Sequence, residues 1–480
     1  MKRVMIAAPG SGSGKTLITC ALLRLLKKRG CDVSSFKCGP DYIDPMFHRK
    51  VLGITGGNLD SFFSDDEEIR AIMSRAGSEY AVLEGVMGIY DGIAGLKNPR
   101  DVFAGSCYDI ARITDTPVIL VMDVRGMGRT MVSVIKGILA DDAHGLIRGI
   151  ILNRITQHHY EQMSQIIRSA LPEQIRLLGG IPSSPDIHLE SRHLGLVMPD
   201  EIDDIMKQVD AAADLLGKNI DTEALMALME EAGDNNIIAQ RISSVGSGPF
   251  TDSSNQADRY VPVLAVARDE AFCFYYEENL RMLREAGIAV REFSPLHDDA
   301  VPADADGILL GGGYPELYAE KLSGNSSMTA SVRVAIERGM PSLAECGGFM
   351  YLLDELTDQS GCCFPMCGTI RGGSRYTGRL TRFGYIDISF PDGNRARGHE
   401  FHYFDSDNNG SDAHAVKPGS GREWECIHFG RDHIWGYPHL WYRSCPDLIF
   451  RFRDEMISYH KRHLQEAGSS GTPLMKEQDE

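Results

Sequence analysis

Residues 8–16 read APGSGSGKT and decide the fold of the N-terminal half. They end an apolar run that begins at Val4, and a helical pattern follows them as far as Arg29. Glycines between a strand and a helix let backbone N–H groups close on phosphate oxygens, and a following Lys-Thr pair reaches the outer phosphates and magnesium. The stretch predicts a Walker A loop, although Pro9 replaces its usual first glycine. The predicted nucleotide contacts are Gly12, Ser13, Gly14, Lys15 and Thr16, with Thr16 also a predicted Mg²⁺ ligand.

The rest of the N-terminal half alternates short β-branched runs with helical patterns. The predicted strands are residues 4–8, 33–37, 80–83, 118–123, 149–153 and 177–181, and two amphipathic helices, 201–216 and 222–231, close the domain. Strands that are buried on both faces read as continuous apolar runs, and helices between them require parallel crossovers. We predict a doubly wound parallel α/β sheet in a domain of residues 1–232.

A second α/β alternation follows a polar connector. Residues 233–259 are rich in Gly, Ser, Asn and Asp, which predicts an interdomain linker. Strands at 261–267, 289–293, 307–310 and 341–344, with helices near 275–286 and 331–338, predict a second domain over 260–465. This domain becomes β-rich and ends in a helix near 447–463, and the polar residues 466–480 predict a disordered tail.

Composition limits the class of protein. The chain has 480 residues, 43% of them hydrophobic and 24% charged, which is enough for two to three domains. A formal net charge of −18 argues against a nucleic-acid partner, because such binding uses Lys and Arg to neutralise phosphates. The sequence contains no apolar run of membrane-spanning length, its first residues predict a strand and not a signal peptide, and its 11 cysteines lack a paired framework. We predict a cytoplasmic protein that has no membrane partner.

Four carboxylates follow strands of the predicted N-terminal sheet. Asp41 and Asp44 follow the second strand, Glu84 ends the third, and Asp91 lies in the turn after it. Ligands of open α/β sheets bind beyond the carboxyl ends of the strands, and carboxylates gathered there need magnesium or substrate to offset their repulsion. We predict that all four are catalytic and that Asp41 and Glu84 bind the metal. An aspartate after Gly-Pro can also be ordinary turn chemistry.

Two basic features could bind an anionic substrate. Lys37 ends the second predicted strand, where it could pair with a phosphate or a carboxylate, or could be a surface lysine. Arg192 and His193 lie in SRHLGL, residues 191–196, a basic turn that could bind an acidic substrate or cap a helix. We predict substrate contacts for all three.

Residues 341–351, PSLAECGGFMY, read as a strand, a tight turn and a helix. A nucleophile at such a turn stands clear of the sheet, and the helix N-terminus favours its thiolate. Cys346 is therefore the predicted nucleophile. The glycine turn in LGGGYPE, residues 310–316, could complete an oxyanion hole. The predicted donors are Gly312, Gly313 and Gly347. A base must come from elsewhere in the chain, and we favour His439 over His399 and His402.

The combination of motifs resembles the cobyrinic acid a,c-diamide synthase family over nearly the whole chain. The motifs are APGSGSGKT, FKCGPDYIDPMFH, LEGVMGIYDG, ILNRI, SRHLGLV, GGGYPE, AECGGFMYL and RGHEFHY. The resemblance implies a dethiobiotin-synthetase-like P-loop domain followed by a class I glutamine amidotransferase domain. It also implies ATP-dependent amidation of the a and c acetates of a corrinoid, through an acyl phosphate that is attacked by ammonia from glutamine.

The resemblance assigns roles to matching positions. Asn153 would read the adenine, Tyr42 and Ile43 would touch the macrocycle, and the four carboxylates would surround the metal, the acyl phosphate and the corrinoid. Cys346 would be the glutaminase nucleophile. One position departs from the pattern: class I amidotransferases usually carry Glu, and this family commonly His, two residues after the base, where this chain has Trp441. Either another residue holds His439, or the glutaminase is slow and external ammonia is used.

Two alternatives stay open at this point. The same chemistry could act on nickel sirohydrochlorin, on hydrogenobyrinic acid or in the cobyric acid synthase reaction. A P-loop regulatory ATPase with an inactive glutaminase-like module is a different class, although Gly10 occupies the position where such ATPases often carry an extra lysine. The expected small-molecule partners are a corrinoid polycarboxylate, ATP and glutamine, and a homodimer is the candidate assembly.

Overall fold

The computed structural model describes residues 1–93, 105–184, 187, 202–232 and 260–469. The chain divides into two compact units. The N-terminal unit is Met1–Asp252 with Tyr276–Glu278, and the C-terminal unit is Ser253–Tyr275 with Asn279–Glu480. The predicted Arg192 and His193 lie outside the described residues.

A seven-stranded sheet forms the centre of the N-terminal unit, in the order β3-β2-β4-β1-β5-β6-β7. All of its pairings are parallel, which confirms the predicted doubly wound fold. Its strands are β1 Lys2–Ala7, β2 Val33–Cys38, β3 Gly56–Leu59, β4 Tyr80–Glu84, β5 Val118–Asp123, β6 Ile147–Asn153 and β7 Arg176–Ile181. Strand β3 was not predicted, because GGNL has neither an apolar run nor β-branched residues.

Helices cover the N-terminal sheet. They are α1 Lys15–Lys28, α2 Ile43–Lys50, α3 Asp66–Arg75, α4 Cys107–Thr114, α5 Thr130–Ala140, α6 Gln157–Ala170, α7 Ile202–Asn219 and α8 Thr222–Glu231. One core joins alternate residues of β1, such as Val4 and Ile6, to Leu22 of α1, Val209 of α7 and Leu228 of α8. The sheet order makes β2, β4 and β1 neighbours, so the loops that follow them open at one edge.

The C-terminal unit contains a six-stranded sheet in the order β10-β8-β11-β13-β23-β22. Its strands are β8 Val263–Ala267, β10 Ala289–Phe293, β11 Gly307–Leu310, β13 Ser342–Glu345, β22 His428–Phe429 and β23 His433–Gly436. The helices are α9 Glu277–Glu285, α10 Ala319–Gly324, α11 Ser326–Glu337, α12 Gly347–Leu352 and α13 Pro446–Ser469. Helix α13 extends to Ser469, into the segment that was predicted to be the disordered tail.

Smaller sheets complete the C-terminal unit, in agreement with its predicted β-rich character. A five-stranded sheet has the order β21-β20-β17-β18-β24, a four-stranded one β15-β14-β16-β19, and a two-stranded one β12-β9. Their bounds are β9 Phe272–Phe274, β12 Gly312–Gly313, β14 Leu353–Thr357, β15 Cys363–Pro365, β16 Ile370–Tyr376, β17 Arg382–Ser389, β18 Arg395–His402, β19 Phe404–Ser406, β20 Ala413–Val416, β21 Glu423–Cys426 and β24 His439–Trp441. Among the helices of the described residues, none has the length and apolar character needed to cross a bilayer.

Candidate active sites

The glycine-rich loop joins β1 to α1 in a conformation that needs glycine. Gly12 and Gly14 have φ of +75° and +92°, in the left-handed region that side chains rarely adopt. A Cβ at Gly14 would also collide with the side-chain amide of Asn153 at the end of β6. Nδ2 of Asn153 donates to the carbonyl of Ser13 at 2.9 Å, so this amide stabilises the glycine-rich loop. Adenine recognition by Asn153 stays a prediction.

Lys15 lies folded over the loop. Its Nζ donates to the carbonyl oxygens of Gly10 at 3.0 Å and Met87 at 2.6 Å. Burial lowers the pKa of this ammonium. A bound phosphate would give the Lys15 ammonium a fully charged partner in place of the two carbonyl dipoles. The position therefore suits the outer phosphates of a nucleotide.

A buried lysine collects the predicted carboxylates. Nζ of Lys37 lies 2.5 Å from Oδ2 of Asp44, 2.9 Å from Oε1 of Glu84 and 3.8 Å from Oδ2 of Asp41. Lys37 on β2 and Glu84 on β4 are direct register partners, so the sheet itself sets this arrangement. The hydroxyl of Thr16 donates to Oε1 of Glu84 at 2.7 Å. These five residues are called the lysine cluster below.

Charge in the lysine cluster is partly compensated, because one ammonium faces three carboxylates. Burial by itself would lower the pKa of Lys37, but its three carboxylate neighbours raise it well above the usual value. Burial and the charge of Glu84 raise the pKa of Asp44. Lys37 is 5% exposed, so its alternative interpretation as a surface lysine is wrong. Its contact with substrate stays a prediction, since its ammonium already has carboxylate partners.

Asp91 occupies a different position from the other three carboxylates. It is exposed, and its Oδ2 accepts the backbone N–H of Gly88 at 2.7 Å. A Cβ at Gly88 would lie 2.6 Å from the carbonyl of Pro9, so this turn packs directly against the phosphate loop. The charge of Asp91 acts on Lys15.

The phosphate loop and the lysine cluster line one cleft of about 770 Å³. Ile43 lies in its wall, whereas Tyr42 is buried beside it. Sequence reasoning missed two arginines of this wall, Arg125 and Arg154. Nη1 of Arg154 donates to the carbonyl of Gly12 at 2.9 Å. Both residues follow the ends of central strands, a position that favours ligand contact, but no motif marks them.

The oxygen atoms around Thr16 fit magnesium. Oε2 of Glu84 is buried and has no hydrogen-bond partner among the described residues. Hard oxygen donors are what Mg²⁺ prefers, and it usually takes one or two carboxylates together with phosphate oxygens and water. Within the described parts of the chain, no three His, Cys, Asp or Glu side chains form a metal-binding group by themselves. The set therefore fits a metal that arrives with the nucleotide.

Cys346 stands on a strained turn between β13 and α12. Its φ of +49° and ψ of −103° lie outside the regions that a side chain normally adopts. The N–H of Cys346 donates to the carbonyl of Gly436 at 2.8 Å, and a Cβ at Gly348 would collide with the carbonyl of Leu310. The geometry is that of a nucleophile elbow. Burial, followed by the charge of Glu316, raises the pKa of the Cys346 thiol, so the buried thiol holds its proton.

The glycine turn packs against the elbow. A Cβ at Gly347 would lie 3.2 Å from the backbone nitrogen of Gly313, which brings two predicted oxyanion donors together. The third, Gly312, lies against the imidazole of His439: a Cβ there would be 3.0 Å from Nε2 and would collide with Cε1.

Of the three candidate histidines, His439 is the one that lies against the glycine turn. His399 faces it from β18, with the ring centroids 5.1 Å apart. Burial and the neighbouring His439 lower the pKa of His399 well below its usual value, so this ring is neutral. His402 is committed elsewhere, with Nδ1 at 2.6 Å from the carbonyl of Phe404 and its ring stacked on Tyr437. The placement supports His439 as the base.

Sequence reasoning also missed Glu345. Its Oε2 lies 3.7 Å from Nδ1 of His439. The only signal was its position next to Cys346. The pairing of β13 with β23, far apart in the chain, places Glu345 opposite Gly436, three residues before His439. Cys346, Glu345, His439 and the two glycines Gly312 and Gly313 are called the cysteine site below.

Comparison with known proteins gives two family matches. Residues 4–197 match the family described as CobQ/CobB/MinD/ParA nucleotide binding domain. Residues 263–442 match the CobB/CobQ-like glutamine amidotransferase domain.

Curated relatives match along almost the whole chain. Cobyrinate a,c-diamide synthase from Priestia megaterium is 36% identical over 462 residues, which cover 93% of this chain and 95% of the relative. The protein of the same name from Caldanaerobacter subterraneus is 33% identical, covering 95% and 99%. That from Thermoplasma volcanium is 34% identical, covering 96% and 98%.

Proposed function

The chain belongs to the cobyrinate a,c-diamide synthase family, and from that membership we propose that it amidates the a and c acetate carboxylates of cobyrinic acid, using ATP and glutamine. The observation that carries the proposal is the presence of two different sites on one chain. The N-terminal unit has a phosphate loop beside the lysine cluster, and the C-terminal unit has a cysteine elbow beside a histidine.

In the N-terminal unit, the γ-phosphoryl group of ATP passes to a substrate carboxylate. Ammonia then attacks the carbonyl carbon of this acyl phosphate, phosphate leaves with the C–O bond electrons, and the nitrogen loses one proton, which the departing phosphate can accept, to give the amide. Lys15 and the N–H groups of Gly12, Ser13 and Gly14 hold the phosphates. Thr16, Asp41 and Glu84 would hold Mg²⁺, which would neutralise part of the phosphate charge when bound.

The remaining predicted contacts belong to the substrates of this unit. Lys37 offsets part of the negative charge of its cluster, and Asp44 and Asp91 face the reacting groups. Asn153 reads the adenine, and Tyr42 and Ile43 touch the macrocycle. Arg192 and His193 bind an acidic side chain of the corrinoid.

In the C-terminal unit, His439 takes the Sγ proton of Cys346, and the thiolate attacks the side-chain carbonyl of glutamine. The backbone N–H groups of Gly312, Gly313 and Gly347 stabilise the oxyanion. Collapse of this intermediate releases ammonia, which receives the proton from His439, and water then hydrolyses the thioester to glutamate. The cytoplasmic location and the homodimer stay predictions.

Nitrogen-source exchange tests the proposal. Cys346→Ser should lose glutamine-driven amidation by roughly 10³-fold or more and keep the ammonium-driven reaction, because only the glutaminase nucleophile is removed. Cys362→Ser, at an exposed cysteine, is the matched control. Equal glutamine-driven rates in Cys346→Ser and wild type would contradict the role of the thiol.

The substrate is tested by counting mass increments. Cobyrinic acid, hydrogenobyrinic acid and nickel sirohydrochlorin are each incubated with the enzyme, Mg-ATP and glutamine. Two successive amidations of cobyrinic acid are expected. Unchanged cobyrinic acid together with amidated nickel sirohydrochlorin would reassign the substrate.

A further inference from the structure

The base of the cysteine site needs a group that orients it. A histidine that accepts a proton at one ring nitrogen works best when an acceptor holds the N–H of the other, because this fixes the tautomer and stabilises the imidazolium. Trp441, two residues after His439, is 1% exposed, and its indole can only donate a hydrogen bond. The acceptor must therefore come from another part of the C-terminal unit.

Glu345 reaches His439 from the strand that carries the nucleophile. It is the last residue of β13, immediately before Cys346, and is 9% exposed. Its Oε2 lies 3.7 Å from Nδ1 of His439, and its Oε1 lies 3.4 Å from the backbone nitrogen of Leu440, which donates to it. The carboxylate thus lies along the first two residues of β24.

A second contact fixes the carboxylate. Tyr442 is buried, and its side chain forms a hydrogen bond with Glu345. Burial and the charge of Glu345 raise the pKa of Tyr442 well above its usual value, so the phenol keeps its proton and donates it to the carboxylate. Glu345 is therefore supported from the start of β24 and from the residue that follows it.

Neighbouring polar groups are less suitable acceptors for the His439 N–H. His399 stacks on the His439 ring with an interplanar angle of 22°, so it faces the π surface and not the ring edge where N–H points. Glu400 is 3.4 Å from Nε2 of His402 and 3.4 Å from Nε1 of Trp424, on the opposite face of β18 from His399.

We propose that Glu345 is the positioning residue of the glutaminase base: its carboxylate accepts the Nδ1 proton of His439 and leaves Nε2 to take the Sγ proton of Cys346. The inference rests on the proposed glutaminase reaction. A contact of 3.7 Å is longer than a hydrogen bond, and catalytic contacts of this length often shorten in the complex with substrate. In this arrangement the orienting group, Glu345, and the nucleophile, Cys346, are consecutive residues, and the base, His439, comes from strand β24.

Three variants test this role. Glu345→Gln keeps the size and removes the charge, Glu345→Asp keeps the charge and shortens the side chain, and Glu337→Gln changes an exposed glutamate of α11 as the control. Each is assayed for glutamine-driven and ammonium-driven amidation, with kcat and KM for glutamine measured separately. Cys346→Ser is run in parallel.

Glu345→Gln should lower the glutaminase kcat by about 10²–10⁴-fold, while KM for glutamine stays within about threefold and the ammonium-driven rate is unchanged. Glu345→Asp should retain at least about tenfold more kcat than Glu345→Gln, because charge is what the imidazolium needs. A Gln variant that is as active as the Asp variant, or equal losses with both nitrogen sources, would overturn the role. If Cys346→Ser uses glutamine normally, the proposed function fails, whereas normal glutamine use by Glu345→Gln alone overturns only this inference.

Discussion

The lysine cluster and the cysteine site both bury their functional groups, but they manage charge in opposite ways. In the lysine cluster, one ammonium is shared by three carboxylates and offsets only part of their negative charge. In the cysteine site, the thiol is neutral and the geometry comes from glycines and a strained turn. The first site is therefore sensitive to loss of charge, and the second to added volume.

The largest effect is expected from removing the central ammonium. Lys37→Ala leaves Glu84, which is fully buried, and Asp44 without their cation. Breaking a buried ion pair from one side costs about 3–5 kcal/mol in the free energy of unfolding, and amidation should be lost with both nitrogen sources. Urea unfolding and both amidation assays measure this, with Lys136→Ala on the exposed face of α5 as the control. Loss confined to glutamine would contradict the placement of the cluster in the synthetase site.

A smaller loss of activity, confined to the glutamine-driven reaction, is expected from added volume at the cysteine site. A methyl group at Gly312 would collide with Cε1 of His439, so Gly312→Ala should displace the base. A displacement of about 1 Å typically costs 10²-fold, so the glutamine-driven rate should fall by about 10²–10³ while ammonium still supports amidation. Gly324→Ala, where a Cβ meets nothing within 4 Å, is the control. An unchanged glutaminase rate in Gly312→Ala would show that catalysis does not require the His439 imidazole at this position.

The smallest effect concerns the support beneath the lysine cluster. His48 is buried between Oγ of Ser35 at 2.8 Å and Sγ of Cys20 at 3.6 Å, and burial lowers its pKa from 6.5 to about 4. Between pH 6.5 and about 4, His48 therefore binds a proton in the unfolded chain but not in the folded protein. The free energy of unfolding consequently falls as the pH drops below 6.5. From about pH 7 to about pH 5, the free energy of unfolding should fall by about 2 kcal/mol more in wild type than in His48→Asn.

Urea unfolding at the two pH values measures this difference. His158→Asn, at an exposed histidine of α6, should follow the wild type. Identical pH dependence in wild type and His48→Asn would mean that His48 is not held neutral.

Local patterns predicted the strands well, because buried parallel strands leave continuous apolar runs. Strands β5, β10 and β11 have the predicted bounds, whereas β3 has a polar sequence and was found only in the structure. Convergence of Asp41, Asp44 and Glu84 followed from their shared sheet edge.

The roles of Lys37 and Glu345 depended on pairings that no local pattern records. The register of β2 against β4 decides which side chain faces Lys37, and the pairing of β13 with β23 places Glu345 opposite Gly436, three residues before His439. Arg125 and Arg154 were missed for the same reason, since their sequence positions give no sign that they line the cleft.

The amide of Asn153 fills the space that a β-carbon on Gly14 would need, and it also serves the carbonyl of Ser13. A larger residue at position 14 would displace this amide, and replacement of Asn153 would leave the Ser13 carbonyl without this donor. The two positions are therefore coupled in the structure, since a change at either one disturbs the packing of the other.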